Sequence, residues 1–535
     1  MNKRMIAALL AVGLGATACS GDAEPSEGTD QARDYYEDYG EQHGDEGGAA
    51  GSVNAPDAAA EAGGAEPGAV APPPPEPPPH DPFRDNYFED VGETLWTDVA
   101  EAPESTFALD VDTGSYRVAN AFLEKGSRPD PDSIRVEEWV NAFDYGDAPP
   151  EEDDLGLVVE SGHGRAEEDN ALVRVGVTTR ELSDEERPPA NITFVVDTSG
   201  SMDLQDRLGL VQASLAMLVE NLNEDDTISI VTYGDHAEPV LEPTPVAEAG
   251  SIYRAIDRLK PGGSTNMEAG LREGYEQART AQREDGTNVV VLASDGVANV
   301  GTTEADPLVE EIVRAGEQGI HLVTVGYGMG NYNDTLMEQL ANQGDGFYSY
   351  IDTFAEAEQL FVEELTPTLT VVAADSKAQV VFDEEQVDEY RLIGYQNREL
   401  DPEDFTDDTV DAGELGAGHQ VSALYEVVPA AEDVDPGEEL GQVSLRWRSP
   451  EEGVNGQLDA AVSWPEQSDE AAGMTESLRM ATLVADTAEL LKGNEVVAER
   501  GVSLSDLSAE AEALVDQEVA GATEILDVIQ RAQEA

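Results

Sequence analysis

Oxygen-bearing side chains recur at alternate positions directly after a short apolar run near the middle of the chain. The run 192–196 (Ile-Thr-Phe-Val-Val) is followed by Asp197, Ser199 and Ser201. Such a run is typical of a strand that is buried on both faces, and a loop at its end can direct three oxygens to one point. Carboxylate and hydroxyl oxygens are hard ligands, which suit Mg²⁺, Ca²⁺ or Mn²⁺ better than soft metals. The spacing therefore predicts a divalent-cation site.

Two further residues with oxygen-bearing side chains are expected at the same edge of the sheet. Thr265 lies in the Gly-rich stretch 261–266 just before a predicted helix, and Asp295 comes just after the predicted strand 288–292. Ligands of open α/β sheets bind at the carboxyl ends of the strands, so both residues can join the first three. The motif alone is a weak signal, whereas five oxygens on three correctly placed loops are a specific one. The alternative is that these oxygens only cap helices.

The elements that must position these residues alternate regularly over 191–366. Strands alternating with helices indicate an α/β fold with a doubly wound, mostly parallel sheet, of the Rossmann-like kind. The predicted strands are 192–196, 227–231, 288–292 and 320–326, and the predicted helices are 208–222, 249–260, 267–284, 305–317, 334–342 and 354–365.

This region resembles the von Willebrand factor A (VWA) domain, whose metal-ion-dependent adhesion site (MIDAS) has an Asp-x-Ser-x-Ser loop, a Thr loop and an Asp loop in this order. The resemblance covers about 191–366. It implies direct ligation by Ser199, Ser201 and Thr265, with the two aspartates acting largely through bound waters. It also implies a sixth position that is left to a carboxylate of a protein partner. Mg²⁺ is the expected ion, and Ca²⁺ or Mn²⁺ would suit the same ligands.

The flanking sequences are similar to those of the bacterial YfbK-like proteins. The similarity is carried by the stretches 104–113, 135–145 and 389–398. The resemblance extends over nearly everything after residue 87. We therefore expect a small α/β region at 87–180 and a β-rich and helical domain at 367–535.

Local patterns give a coarse outline of both flanking regions. Residues 156–160 and 171–179 are predicted to form a strand pair that leads into the central domain. Beyond 366, strand-like stretches separated by Asp/Glu/Gly turns indicate an antiparallel β-domain. Residues 475–493 and 505–533 are predicted to be helical.

The first 18 residues have the features of a bacterial lipoprotein signal peptide. A basic start precedes a short apolar stretch that ends Ala16-Thr17-Ala18-Cys19, which resembles a lipobox although Ala16 stands where Leu is more usual. Cleavage before Cys19 and acylation of that residue are implied, and an ordinary signal peptide cut nearby is the alternative. Lipid would be the only membrane anchor. We expect an exported protein on the cell membrane, and Ser20 is compatible with the outer membrane where a cell has two.

Residues 19–86 are predicted to be a disordered tether. They are acidic, then Gly/Ala-rich, and they include the proline-rich run 72–79, which favours a stiff extended helix. A tyrosine cluster at Tyr35, Tyr36 and Tyr39 is compatible with a partner motif, but an unfolded acidic segment is the preferred interpretation.

The charge balance excludes one class of partner. The chain has 29 Lys and Arg against 113 Asp and Glu, for a net charge of −84. Nucleic-acid binding needs basic residues to neutralise phosphates, so we expect no nucleic-acid partner. The same balance argues against electrostatic adhesion to an anionic membrane. It is compatible with life in high salt or with an acidic secretome in a GC-rich genome. Cys19 is the only cysteine, so the chain forms no internal disulfide.

We find no arrangement in the sequence that is typical of an enzyme. The stretch Asp112-Thr113-Gly114-Ser115 mimics an aspartic-protease signature, but that chemistry needs two carboxylates sharing a proton and no second copy is present. It is interpreted as a strand end followed by a helix cap at Ser115. No nucleophile–base pair or phosphate loop is found. The favoured function is a metal-dependent adhesion or scaffold module, the alternative is an accessory subunit of an envelope complex or transporter, and an enzyme comes last.

Overall fold

The computed structural model describes most of the chain after residue 85. The described residues are 32–33, 35–36, 86–150, 153–164, 170–183, 186–295, 307–328, 333–365, 370–408, 410, 412–431, 434–450, 453–465, 474–494, 496–497 and 500–535. The predicted signal peptide 1–18, Cys19 and most of the predicted tether 19–86 lie outside them. Within the described parts, no helix is both long and apolar enough to span a bilayer.

The N-terminal region supplies four strands and two helices. They are β1 (Thr97–Asp98), β2 (Glu104–Ala108), α1 (Gly114–Glu124), α2 (Val136–Asn141), β3 (Leu155–His163) and β4 (Ala171–Thr179). The predicted cap at Ser115 is wrong, because Thr113 holds the N-cap position and Ser115 lies inside α1. The Ser115 hydroxyl donates to the carbonyl oxygen of Ser133 and accepts from the backbone N–H of Arg135. This side chain therefore ties α1 to the segment before α2.

The central region is the predicted α/β domain. Its strands lie in the order β10-β9-β8-β5-β6-β7 and are parallel except for β7, which pairs antiparallel with β6. Its elements are β5 (Ala190–Asp197), α3 (Arg207–Asn221), β6 (Thr227–Tyr233), β7 (Ala237–Pro245), α4 (Ala249–Ile256), α5 (Met267–Thr280), β8 (Thr287–Ser294), α6 (Pro307–Gly316), β9 (His321–Tyr327), α7 (Asp334–Gln343), β10 (Tyr348–Ile351) and α8 (Phe354–Glu358), which continues as a π-helical turn (Gln359–Glu364).

This arrangement confirms the predicted fold class and adds two edge strands. The two strands that the sequence did not predict are β7 and β10. β7 is largely exposed and contains three prolines, so it lacks the apolar run of a buried strand, and proline is tolerated at an edge. β10 has only four residues, which is too short to give a periodic signal.

The C-terminal region completes two antiparallel sheets. Its elements are β11 (Val371–Phe382), β12 (Val387–Ile393), β13 (Glu399–Leu400), β14 (Leu415–Gly416), β15 (Gln420–Pro429), β16 (Glu439–Arg448), β17 (Asn455–Ser463), α9 (Glu476–Lys492), α10 (Leu504–Asp516) and α11 (Ala522–Glu534). The predicted helix 505–533 is in fact two helices, because Gly521 adopts a positive φ of 73° at the start of α11. A left-handed residue ends regular helical geometry.

Strands from the two flanking regions share the same sheets. One sheet has the order β1-β12-β15-β4-β3, and the other has the order β13-β2-β11-β16-β17 with β14 beside β11. The two sheets pack around one apolar core that includes Phe107 of β2, Val173 of β4 and Tyr425 of β15. The predicted strand pair is confirmed, because β3 pairs antiparallel with β4, and β4 pairs on its other side with β15 from the C-terminal region. Sequence-distant segments therefore form a single β-sandwich beside the central domain.

A largely buried network of charged groups joins the three regions. Arg398 Nη2 lies 3.0 Å from Asp112 Oδ2, and Arg398 Nη1 lies 3.2 Å from Asp110 Oδ2. Arg135 Nη2 lies 3.0 Å from Glu338 Oε2 on α7. Four carboxylates and two guanidinium groups take part: Asp110, Asp112, Glu138, Glu338, Arg135 and Arg398. The carboxylates outnumber the cations, so each arginine compensates charge that would otherwise be costly to bury.

Burial of these carboxylates raises the pKa of two of them. Burial raises the pKa of Asp112 to about 7, with Glu338 adding to the rise and Arg398 opposing it. Burial also raises the pKa of Glu138 well above its usual value. An unfolded Asp titrates near 3.9, so the folded protein keeps the Asp112 proton to higher pH. The contribution of Asp112 to stability therefore falls as pH rises from about 4 to about 7.

We predict that Arg398→Met destabilises the protein by about 3–5 kcal/mol at pH 8, because it leaves buried carboxylates without their cation. The deficit is expected to shrink at pH 5, where Asp112 can be neutral. Chemical denaturation at both pH values measures the difference.

Arg446→Met is the matched control, since Arg446 pairs with the exposed Asp408 and a surface pair contributes at most about 1 kcal/mol. An equal loss of stability for the two variants, or an Arg398→Met deficit that does not change with pH, would contradict the role given to the buried network.

Candidate metal site

The predicted ligands leave the sheet at one edge. Asp197 is the last residue of β5, and Asp295 follows the last residue of β8. These strands are neighbours and run parallel, so their carboxyl ends meet at the same edge. Thr265 precedes Asn266, which is the N-cap residue of α5. Chain connectivity therefore brings three loops to the edge where doubly wound sheets bind ligands.

Asp197 is fully buried and held by two hydrogen bonds. Its Oδ1 accepts from the backbone N–H of Ser199 at 2.7 Å, and its Oδ2 accepts from the Ser294 hydroxyl at 3.2 Å. Burial raises the pKa of Asp197 to about 6, the nearby Asp295 raises it further, and the hydrogen bond from Ser199 opposes the rise. The carboxylate is thus fixed in direction and is costly to keep charged without a cation nearby.

The two serine hydroxyls of the motif lie side by side. Ser199 Oγ and Ser201 Oγ are 2.9 Å apart. Ser199 is the N-cap residue of the 3₁₀ turn Gly200–Asp206, yet its side chain makes no capping hydrogen bond. Helix capping therefore does not explain the Ser199 hydroxyl. Two converging hydroxyl oxygens beside a buried carboxylate form the kind of donor set that a hard dication uses.

The loop that carries Thr265 is hydrogen-bonded to the Asp-x-Ser-x-Ser loop. The backbone N–H of Gly262 donates to the Thr198 carbonyl at 2.6 Å, and the N–H of Gly200 donates to the Gly263 carbonyl at 3.3 Å. Gly263 has a φ of +97°, and a Cβ there would lie 3.2 Å from the backbone nitrogen of Asp235. Glycine at this position thus permits the close approach of the Thr265 loop to the β6–β7 turn, which contains Asp235. The N-cap residue of α5 is Asn266 and not Thr265. Helix capping therefore does not explain the partly buried Thr265.

Asp295 is fully buried and is paired with an arginine that the sequence analysis did not single out. Arg207 Nη1 lies 2.8 Å from Asp295 Oδ2 and 3.4 Å from the Ser201 carbonyl oxygen. Arg207 is the first residue of α3, so the helix that follows the motif directs this side chain back to the site. A lone basic residue six positions after Ser201 in such an acidic chain was the signal available in the sequence.

The residues present fit a bound dication. The carboxylates Asp197 and Asp295 together exceed the charge of Arg207 by one, so the site is one charge short of neutrality. A bound Mg²⁺ would leave it with a net positive charge, which is the condition for attracting a further carboxylate. Hydroxyl and carboxylate oxygens, without Cys or His, favour Mg²⁺, Ca²⁺ or Mn²⁺.

Other candidate sites lie away from this edge. Among the described residues, Asp112, Glu138 and Glu338 bring carboxylate oxygens within 4.8 Å of one another. Each carboxylate of this trio already pairs with Arg398 or Arg135. A cavity of about 660 Å³ between the central sheet and the flanking regions has none of the five predicted ligands in its lining. The predicted metal site is thus separate from this cavity.

Comparisons with known families agree with this architecture. The model described as "von Willebrand factor type A domain" matches residues 191–363. The model described as "Uncharacterized protein YfbK, C-terminal" matches 367–535, and one described as "von Willebrand factor" matches 82–174. The "Uncharacterized protein YfbK" of Escherichia coli (strain K12) is 36% identical over 421 residues, covering 74% of this chain and 72% of that protein. The chain belongs to the YfbK family.

Other similarities concern the VWA part of this YfbK-family chain. The "Inter-alpha-trypsin inhibitor heavy chain H3" of Homo sapiens is 27% identical over 210 residues, which cover 36% of this chain and 23% of that protein. The solved structure titled "von Willebrand factor type A from Catenulispora acidiphila" is 16% identical, has a TM-score of 0.40, and covers 68% of this chain and 88% of that chain. VWA domains often bind divalent cations through a MIDAS, and the domain type indicates a protein-interaction or scaffold role.

We predict that Asp197→Asn lowers Mg²⁺ affinity at least about tenfold, which corresponds to about 1.4 kcal/mol. Asn keeps an oxygen that accepts from Ser199 but removes the charge that faces the cation. Isothermal titration calorimetry on the purified protein measures the affinity, and circular dichroism checks that the fold is retained.

Asp459→Asn is the charge-matched control, because Asp459 is exposed on β17. Its Mg²⁺ affinity is expected to equal that of the wild type. Unchanged affinity in a folded Asp197→Asn variant would exclude this loop as the cation site.

Proposed function

We propose that this YfbK-family protein binds a divalent cation, Mg²⁺ above the alternatives, and uses it to hold a carboxylate of a protein partner. The observation that carries the proposal is the pair of serine hydroxyls 2.9 Å apart, next to the buried Asp197. Ser199 and Ser201, with Thr265, would ligate the ion, and Asp197 and Asp295 would orient its bound waters. The ion would supply positive charge at the sheet edge of a strongly acidic protein.

The chain's own residues define what the site does to a partner. Asp197 is fixed by Ser199 and Ser294, so its direction does not depend on ligand binding. Arg207 holds Asp295, so this carboxylate keeps a counter-charge before the ion arrives. A preorganised site loses little conformational entropy on binding. A partner Asp or Glu side chain would therefore bind a rigid site in which the positive charge is localised on the ion.

The proposed module is an adhesion or scaffold protein and not an enzyme. The site provides oxygen ligands for a cation and an arginine as counter-charge. Among its five proposed ligand side chains we find no nucleophile paired with an adjacent base, as covalent catalysis would need. Binding through the metal would be specific, because the surrounding net charge of −84 repels acidic partners that do not reach the ion.

We predict that a set of partner proteins is captured in Mg²⁺ and lost in EDTA. The same set is expected to be lost with the Asp197→Asn variant in Mg²⁺ and retained with Asp459→Asn. Quantitative mass spectrometry of proteins bound to the immobilised chain measures all four conditions. Partners that persist in EDTA and with Asp197→Asn would contradict metal-dependent capture.

We also propose that the protein is exported and anchored by a lipid on Cys19, from its Ala-Thr-Ala-Cys sequence and its status as the only cysteine. We predict that the wild type incorporates an alkyne-labelled fatty acid and sediments with membranes. Cys19→Ala is expected to lose both, and Ser20→Ala is the matched control that keeps both. Label that remains in the Cys19→Ala variant would contradict acylation at this residue.

A further inference from the structure

A short part of the acidic N-terminal segment lies against the VWA domain, at the end of α4. The Tyr35 ring stacks on the Tyr253 ring with centroids 6.5 Å apart. The Tyr35 hydroxyl donates to Asp257 Oδ1 at 2.8 Å. An aromatic contact together with a hydrogen bond to a charged acceptor gives this contact direction as well as buried area.

The neighbouring residues contact α8 and the domain core. Tyr36 lies over Phe354 with ring centroids 5.6 Å apart, and the Arg33 guanidinium carbon lies 5.0 Å from the centre of the same ring. Ala32 is completely buried in the apolar core that the central sheet shares with its helices. Residues 32–33 and 35–36 are helical. These four residues thus place one side chain in the core and three on aromatic rings.

Electrostatics oppose this contact, so its apolar groups must sustain it. The stretch 29–39 has four acidic residues and one basic residue, and it lies on a protein of net charge −84. Arg33 is the one cation of that stretch, and it is placed on the Phe354 ring. Screening by salt weakens repulsion between like charges. The contact is therefore expected to tighten as ionic strength rises.

We propose that residues 32–33 and 35–36, here named the latch, are an intramolecular ligand of the α4–α8 face of the VWA domain. The sequence favoured an unfolded acidic segment here, whereas the latch folds back onto the domain. About 50 residues separate Tyr36 from Asn86, where the described main body of the chain begins. This length is ample for the latch to reach its own domain, and linkage in one chain gives a high effective concentration.

Docking of the latch shortens the length of chain between Cys19 and the VWA domain. About 13 residues lie between Cys19 and Ala32, against about 67 between Cys19 and Asn86. Fully extended, these lengths span roughly 45 Å and 230 Å. If Cys19 is the lipid anchor, as proposed above, a docked latch keeps the VWA domain within the shorter reach. This consequence rests on the proposed acylation, but the docking itself does not.

Hydrogen–deuterium exchange on the purified full chain tests the latch. We expect peptides that cover 32–36 to exchange about tenfold or more slowly than an unstructured chain. In the double variant Tyr35→Ala/Tyr36→Ala we expect these amides to lose protection and those of 249–257 to exchange faster. Tyr87→Ala is the control, since its exposed side chain lies outside the latch, and it should change neither.

Two further measurements separate the alternatives. Protection of the latch should increase in 1 M NaCl, where the screening length is about 3 Å. The protected species should be a monomer by light scattering. Unstructured-chain exchange at 32–36 in the wild type, or protection that appears only in a dimer, would overturn the proposal. Because none of these readouts involves lipid or metal, they separate failure of the latch from failure of the proposed anchor or metal site.

Discussion

The structure depends on placing charged groups where two neighbouring parallel strands end. Strands β5 and β8 deliver Asp197 and Asp295 to the same edge, and both carboxylates are fully buried. Two like charges held in a low-dielectric region need compensation. Arg207 supplies one positive charge, and a dication ligated by the neighbouring hydroxyls would supply the rest. The need for a counter-charge at this edge connects the fold with the proposed function.

The sequence predicted the central domain well because its signals are local. Buried parallel strands give continuous apolar runs, and the five oxygens follow those runs at fixed offsets. Arg207 was missed because its partner Asp295 is 88 residues away, so its position after Ser201 did not show which carboxylate it pairs with. The cap assigned to Ser115 was wrong because the hydroxyl bonds a segment 18 residues further on. The break at Gly521 was missed because apolar periodicity continues across it.

The flanking regions could not be assembled from the sequence for a different reason. β2 pairs with β11 and β4 pairs with β15, over separations of more than 240 residues. Hydrophobic alternation identifies a strand but not its partner, so such pairings leave no local signal. Asp112 likewise has a sequence-distant partner. It lies in a stretch that resembles a protease motif, but in the structure it pairs with Arg398. The shared sheets join the two flanking regions, and the network fastens the sandwich to the VWA domain through Glu338 of α7.

We propose that a dication is held where the three loops meet. A crystal structure of the full chain grown in Mn²⁺ tests this binding directly through anomalous scattering. We expect a peak about 2.0–2.6 Å from Ser199 Oγ, Ser201 Oγ and Thr265 Oγ1, with Asp197 beside it. No peak at this edge, or a peak only among Asp112, Glu138 and Glu338, would contradict it.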